Sequence, residues 1–395
     1  MSKRILISAF TFPPQRNGVS HVVEAHATGL ARFGHDVTVV TGWDPSREGD
    51  TWHGVKIRQF ATQGNGRWIR GGYAGDVCGY QDYIASFTGD IIICHCWQDW
   101  STDLAVEVFD RLRCAKVLVS HGLSARQPRK SLKGLLNRLM WMPYVNKIPG
   151  MMRKFDHVVL LSDRSDPWAF YDRSLMARIG FQHFSVIPNG AYLDRWAAAE
   201  ASAARFRTLH GIGERPMVLN VSNYSREKNQ RMVLRAFLDA ALPNAVLVFI
   251  GSELNEYARG VQSLARQAGA AGRRVVLLEK QTAEDTVAAY CAADLFVSCS
   301  EWEIQPLVIL EAIAAGTPFV STNVGCVRDI PGGVTVQNLT EMIAAVRLLM
   351  ADDSRRRQLG REGQAAVRER FTWEKIVRQY DALITRLCSN RDTQE

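Results

Sequence analysis

The 395 residues contain no apolar run approaching the roughly 20 that a membrane-spanning helix requires, so no transmembrane segment is expected. The opening MSKRILISAF is only briefly apolar, meets Pro13 and Pro14, and lacks a small-residue cleavage site. It reads as a first β-strand and not as a signal peptide, which points to a cytoplasmic chain. The eight cysteines form no framework, and reduced thiols are expected. Cys94 and Cys96 flank His95, but strand alternation would turn His95 away from both thiols, and no second Cys/His cluster supplies further ligands. No metal site is expected there. Zinc-finger spacing and an RNA-binding aromatic signature are missing too, which argues against nucleic acid. The formal charge of +8 and pI near 9.1 suit anionic partners, and sugar nucleotides and acidic membrane surfaces both qualify.

What is present is the composition of a globular protein, 47% hydrophobic and 22% charged, in a chain longer than one core usually supports. A strand at residues 4–9, a Pro/Gly loop, a helix at 19–33 stopped by Gly34 and a β-branched strand at 36–41 make a βαβ unit. Short apolar strands follow at 90–94, 116–120 and 157–162. Pro188-Asn189-Gly190 punctuates, and a second series opens with strands at 217–221, 245–250, 274–278, 294–298 and 318–321. Helices are expected at 229–240 and 283–292, with a long arginine-rich helical stretch through Phe371, Trp373, Ile376 and Tyr380 closing the chain. The expected fold class is α/β, with two Rossmann-like domains facing across a cleft. The expected boundaries are 1–190, 191–375 and a C-terminal helix at 376–395 returning to the N-terminal domain. Gly64-Asn65-Gly66 has the start of a dinucleotide fingerprint, but no apolar strand leads into it, and a surface loop is expected.

The most informative stretch is DLFVSCSEWEIQPLVILEAIAAGTPFVST, residues 294–322. A buried strand ends near Ser300, a loop carries Glu303, and Pro306 suits the first turn of a helix that contains Glu311 and ends at Gly316. Unpaired N–H groups near Gln305, Pro306 and Leu307 would make an anion site, and two carboxylates suit the vicinal hydroxyls of sugars. An N-terminal Glu can equally serve the helix dipole.

Glu303, seven residues, Glu311 and then Ala-Ile-Ala-Ala-Gly-Thr-Pro resemble the retaining glycosyltransferases of the glycogen-synthase-like (family 4) group, whose fold is GT-B. Residues 304–306 read Ile-Gln-Pro where that family more often has Gly-Phe-Gly. The Pro13-to-Gly18 loop, Gly34-His35-Asp36-Val37, residues 90–95, Ser120-His121-Gly122 and Ile187-Pro188-Asn189-Gly190 are similar to further family landmarks. The resemblance implies that Glu311 binds the ribose of a nucleotide-diphosphate sugar and that Glu303 contacts the donor sugar. It places Asn17 and Gly18 beside the diphosphate, His121 near the reacting sugar and Lys228 on the leaving phosphate. His121, Lys228 and Glu303 form the implied catalytic set. Asn223 stands where the family usually has Arg, and Arg226 in the same loop is the candidate to compensate. The implied enzyme is a retaining, metal-independent glycosyltransferase without cofactor, acting on a glycan or lipid-linked acceptor in polysaccharide or glycolipid synthesis. A non-catalytic donor-binding or scaffolding relative and a sugar-nucleotide epimerase of the same fold are the alternatives.

Residues 126–154 carry eight Lys/Arg and no acidic residue. Leu132, Leu135, Leu136, Leu139 and Met140 recur at helical spacing ahead of Trp141 and Tyr144. A basic helix with an apolar stripe either lies on an anionic bilayer, making the protein peripheral on the inner face of the membrane, or packs that stripe on its own domain.

Overall fold

The computed structural model describes residues 2–67, 71–126, 132–166, 168–196, 199–269 and 274–392. The chain divides into two compact units, one made of Met1–Asn189 with Trp373–Glu395 and the other of Gly190–Thr372.

The first unit is built on ten strands: β1 (Arg4–Ser8), β2 (Asp36–Gly42), β3 (Thr51–Trp52), β4 (Val55–Phe60), β5 (Thr62–Asn65), β6 (Gly72–Gly75), β7 (Ile91–His95), β8 (Ala115–Val119), β9 (His157–Leu160) and β10 (Phe184–Val186). Eight of them form one sheet in the order β10-β9-β8-β7-β1-β2-β4-β3, parallel except for β3 against β4. β7 and β8 are buried along their whole length, as strands covered by helices on both faces must be. The helices of this part are α1 (Gly18–Arg32), α2 (Val77–Ala85), α3 (Trp100–Glu107), α4 (Leu132–Met152) and α5 (Tyr171–Ile179). Strand order reverses between β1 and β7, so the loops that follow these two strands emerge side by side at the carboxyl edge, where open α/β sheets bind ligands.

The second unit has strands β11 (Met217–Val221), β12 (Val246–Gly251), β13 (Arg274–Glu279), β14 (Leu295–Ser298), β15 (Phe319–Thr322) and β16 (Gly333–Val336), all parallel in the order β13-β12-β11-β14-β15-β16. Its helices are α6 (Ala199–Leu209), α7 (Gln230–Ala240), α8 (Glu256–Gln267), α9 (Ala283–Ala292), α10 (Leu307–Ala314), α11 (Leu339–Ala351) and α12 (Asp353–Arg370). The reversal point here lies between β11 and β14. The last helix, α13 (Trp373–Asp392), belongs to the first unit and packs on α1. That approach is close: a Cβ at Gly29 would meet Val377 Cγ2 at 2.5 Å, so glycine is what lets the two helices touch.

Two expectations are corrected, and one of two open alternatives is set aside. The C-terminal stretch is two helices in different units, broken at Phe371 and Thr372. Gly64-Asn65-Gly66 lies in and just beyond β5, which pairs antiparallel with β6, and β4 leads into it. Both β4 and the β5–β6 hairpin escape a search for apolar runs because their exposed faces are polar or glycine. In α4, the packed-on-its-domain alternative for the stripe does not hold for Leu135, Leu136 and Leu139, which are about half exposed, as is Met142. The helix instead buries Trp141, Tyr144, Ile148 and Met152, which recur at helical spacing one to three turns later. Residues 127–131 of this basic stretch lie outside the described residues.

Candidate active site

In the second unit, the loop after β11 carries Asn223, Arg226 and Lys228, and the loop after β14 carries Glu303. The two loops are tied by backbone, Glu301 N donating to Glu227 O at 2.8 Å, and by side chains, Lys228 Nζ lying 2.5 Å from Glu303 Oε1. The Lys228 and Glu303 side chains are 32% and 14% exposed, so the pair is screened from water on most sides yet open to an incoming group. The Glu303 loop is braced from beneath, since Cys326 N donates to Ile304 O at 2.9 Å. Gly325 is required there: its φ is +53°, and a Cβ would fall 2.2 Å from the same carbonyl.

Pro306 is the N-cap of α10, and Leu307 is its first helical residue, so the helix opens one position later than a proline in the first turn implies. The first-turn N–H groups lack intrahelical acceptors by construction. Gln305 is buried. Glu311, in the second turn, is held by a different partner from Glu303: Tyr290 Oη donates to its Oε2 at 3.0 Å. The structure thus brings Lys228 and Glu303 together and anchors Glu311 separately on α9. Asn223 and Arg226 are exposed, and the Asn223 carbonyl accepts from Gln230 Nε2 at 2.9 Å.

In the first unit, Asn17 is spent on structure and not presented as a side-chain ligand. Its Oδ1 caps α1 by accepting from Ser20 N at 2.9 Å, and its Nδ2 donates to Thr11 Oγ1 at 2.8 Å. Gly18 begins α1 with an ordinary negative φ, and nothing lies within 4 Å of where its Cβ would be. The space over it is open, so the fold itself does not demand glycine there. A residue not singled out by sequence secures this loop. Arg47 is buried, and its guanidinium donates to the carbonyls of Pro13, Phe12 and Gly42 and to Gln59 Oε1 at 2.7, 3.0, 3.0 and 2.6 Å. Only the fold brings Arg47 back to the Pro/Gly loop, so no local motif reports it.

His121 follows β8, with its Nε2 3.1 Å from His95 Nδ1. His95 in turn lies against His26 of α1, ring centroids 5.3 Å apart, and His26 against Tyr380 of α13 at 4.1 Å. Burial holds His26 down to about 3 and His121 to about 4, so both are neutral imidazoles at ordinary pH. The loop bearing His121 is pinned by Asp172, which accepts from Ser120 Oγ, while Ser120 Oγ accepts from Gly122 N at 3.1 Å. Cys94 and Cys96 are buried with their thiol pKa values pushed up by burial, so neither is thiolate.

The loop after β7 also went unread in the sequence. Cys96 and Gln98 both adopt positive φ, +70° and +63°, which is strained for non-glycine residues and common beside ligand sites. Asp99 ends this loop and Asp103 follows in the first turn of α3, and burial raises them to about 8 and about 7. Asp103 accepts from Tyr73 Oη and Tyr144 Oη at 2.7 and 2.6 Å.

Two family models match in succession, "Glycosyltransferase Family 4" over residues 16–195 and "Glycosyl transferases group 1" over residues 204–366. A GDP-mannose-dependent alpha-(1-6)-phosphatidylinositol monomannoside mannosyltransferase of Mycolicibacterium smegmatis is 30% identical over 220 residues, which are 52% of this chain and 56% of that protein. The chain thus spans little more than half of that relative. An alpha-monoglucosyldiacylglycerol synthase of Streptococcus pneumoniae is 26% identical over 340 residues, covering 80% of this chain and 70% of that one. Among solved structures, sucrose-phosphate synthase of Thermosynechococcus elongatus superposes with a TM-score of 0.80 at 20% identity, over 99% of this chain and all of that one. Two parallel sheets with their loops at the reversal points, the Glu303–Glu311 segment and matches running from residue 16 to residue 366 agree: the chain belongs to the family-4-type glycosyltransferases of GT-B fold.

Proposed function

We propose that the protein transfers a glycosyl unit from a nucleoside-diphosphate sugar, with retention of configuration, to a lipid-borne or glycan acceptor. The observation that carries this reading is the Lys228–Glu303 pair at the β11/β14 reversal point, next to the opening of α10. In the free protein each member satisfies the other. An arriving diphosphate offers Lys228 a stronger anionic partner, and Glu303 is released to accept from the donor sugar's hydroxyls. Lys228 and the first N–H groups of α10, at Leu307 and its neighbours, then hold the charge that develops on the departing phosphate. Glu311 accepts from the ribose. Gly18 leaves room for diphosphate against the first turn of α1, and His121 stands by the reacting sugar as a neutral hydrogen-bonding group. No covalent nucleophile is assigned: the acceptor attacks from the face the phosphate leaves, and its proton passes to the departing oxygen. Asn223 supplies at most an amide contact, and Arg226, exposed in the same loop, adds its cation when the phosphates are in place.

The names of two relatives include phosphatidylinositol and diacylglycerol, which favours an acceptor held in a membrane. The exposed leucines of α4, set in a stretch with eight cations and no acid, are chemically suited to meet an anionic leaflet, so the reading includes peripheral attachment at a cytoplasmic membrane face.

The test is nucleotide release or glycosyl transfer by purified protein. Lys228→Ala should lower kcat by about 10²–10³-fold, the usual effect of losing a preorganised charge partner, and Glu311→Ala should lower kcat/KM by loosening the hold on the ribose, both with the thermal midpoint nearly unchanged. Turnover at the wild-type rate in both variants would remove the site assignment. Donor binding without any transfer would favour the non-catalytic alternative, to which Asn223 in place of a cation points.

A further inference from the structure

We infer that Tyr290 is the positioning residue that presents Glu311 to the donor's ribose, an assignment that rests on the donor reading above. Tyr290 lies near the end of α9 and is 1% exposed. Its ring packs on Phe296 of β14 and meets Trp196 edge-on, with centroids 5.6 and 5.9 Å away. Its main-chain carbonyl accepts from Thr317 Oγ1 at 2.7 Å, just past the end of α10. The residue is thus fixed at both ends, and its hydroxyl reaches across to α10, where Glu311 Oε2 is its one hydrogen-bond partner among the described residues.

The direction of that bond is also fixed. Burial first, then the Glu311 carboxylate beside it, push the phenol pKa well above its usual value, so Tyr290 keeps its O–H and is the donor of the pair. A glutamate's terminal torsion is otherwise broad, and the carboxylate would turn freely. With Oε2 held by one bond, the carboxylate keeps Oε1 and the second lone pair of Oε2 as acceptors for a pair of adjacent hydroxyls. A phenylalanine would fill the same apolar slot equally well. What the hydroxyl adds is the orientation of Glu311.

The prediction concerns discrimination between ribose and deoxyribose. Calorimetric titration of the full chain with UDP, GDP and ADP selects the tightest base, whose 2′-deoxy form is then compared. Wild type should prefer the ribo form. Tyr290→Phe should shrink that preference about fivefold, the worth of one ordinary hydrogen bond, with binding of the deoxy form, which keeps only one of the two hydroxyls, falling less than that of the ribo form. Tyr290→Met, an adaptable filler of the same slot, gives the same reading should the phenyl ring disturb packing. In a Glu311→Gln background, adding Tyr290→Phe should change the preference no further, because the two side chains act as one unit. A preserved ribose preference in Tyr290→Phe, or additive losses in the double variant, would overturn the role of Tyr290 alone. A wild type that binds both forms equally would overturn it together with the assignment of Glu311.

Discussion

Single side chains decide whether the loops at the two reversal points keep their shape, and Arg47 is the sharpest case. Three main-chain carbonyls and one amide oxygen converge on its guanidinium, a geometry only a planar fork of donors satisfies. Removing it takes a donor from all four; Phe12 O and Gln59 Oε1 still accept from Gln15 N and Asp44 N, and a buried acceptor left with no partner costs about 1–3 kcal/mol. Arg47→Met and Arg47→Lys should therefore weaken nucleoside-diphosphate binding to similar extents, by about tenfold if one to two kcal/mol of loop order is lost. Calorimetry checks this: a lysine variant that binds like wild type would mean that charge, not geometry, is what Arg47 provides. The contrast with Asn17 is instructive. Both residues shape the same loop, but Asn17 stands beside Gly18 in a legible motif, whereas Arg47 reaches the loop only through the fold. The places of Glu303 and Lys228 in strand-to-helix loops, and of Glu311 within the helix that follows, were legible from the local punctuation, while the roles proposed for them came from the resemblance. Tyr290 was not, since a tyrosine in an alanine-rich helix looks like any other core aromatic.

Helices and strands were legible wherever apolar periodicity is strong. The predicted 217–221 strand and the 283–292 helix coincide with β11 and α9. β16, with only four residues and a leading glycine, and the polar hairpin of β5 and β6 gave no such signal. α4 shows the opposite difficulty. Its composition advertises one apolar stripe, yet the helix carries two faces, one buried through Trp141, Tyr144, Ile148 and Met152 and one bare through Leu135, Leu136, Leu139 and Met142. Periodicity cannot say which of two stripes the fold will cover. The bare face yields an element-level prediction: the protein should sediment with phosphatidylglycerol-containing liposomes at low salt and less so at high salt. Leu135→Ser with Leu139→Ser should abolish most of that binding without lowering the thermal midpoint, because neither residue packs on the core. No sedimentation of wild type at low salt would remove the membrane reading.

Across the whole molecule, the first unit buries titratable groups of both kinds, and their effects on stability have opposite signs. His26, His121 and His157 are depressed by burial, to about 3, 4 and 4, so the unfolded chain binds more protons and stability rises with pH up to roughly 6.5. Asp172, Asp103 and Asp99 are raised by burial to about 6, 7 and 8, so the folded chain holds protons the unfolded one has lost, and stability falls as pH climbs from about 4 through those values. The two sets offset one another between about pH 4 and 6.5, leaving only the carboxyls above that range. The thermal midpoint of the full chain should decline from pH 6.5 to 8.5, and Asp99→Asn should flatten the decline. A wild-type midpoint that is level over this interval would show that the carboxyls do not retain their protons.

The second unit leaves from and returns to the chain at one spot. Ala191 N donates to Phe371 O at 2.7 Å, and Ala191 bridges to Thr372, so its first and last residues lie side by side. A segment whose ends already touch behaves as an insertable cassette. Residues 190–372 can be cut out, or exchanged with the corresponding piece of a relative, without a linker to span any gap. On the proposed reading, in which Lys228, Glu303 and Glu311 of this unit hold the donor, donor preference becomes a property that can be transplanted on its own.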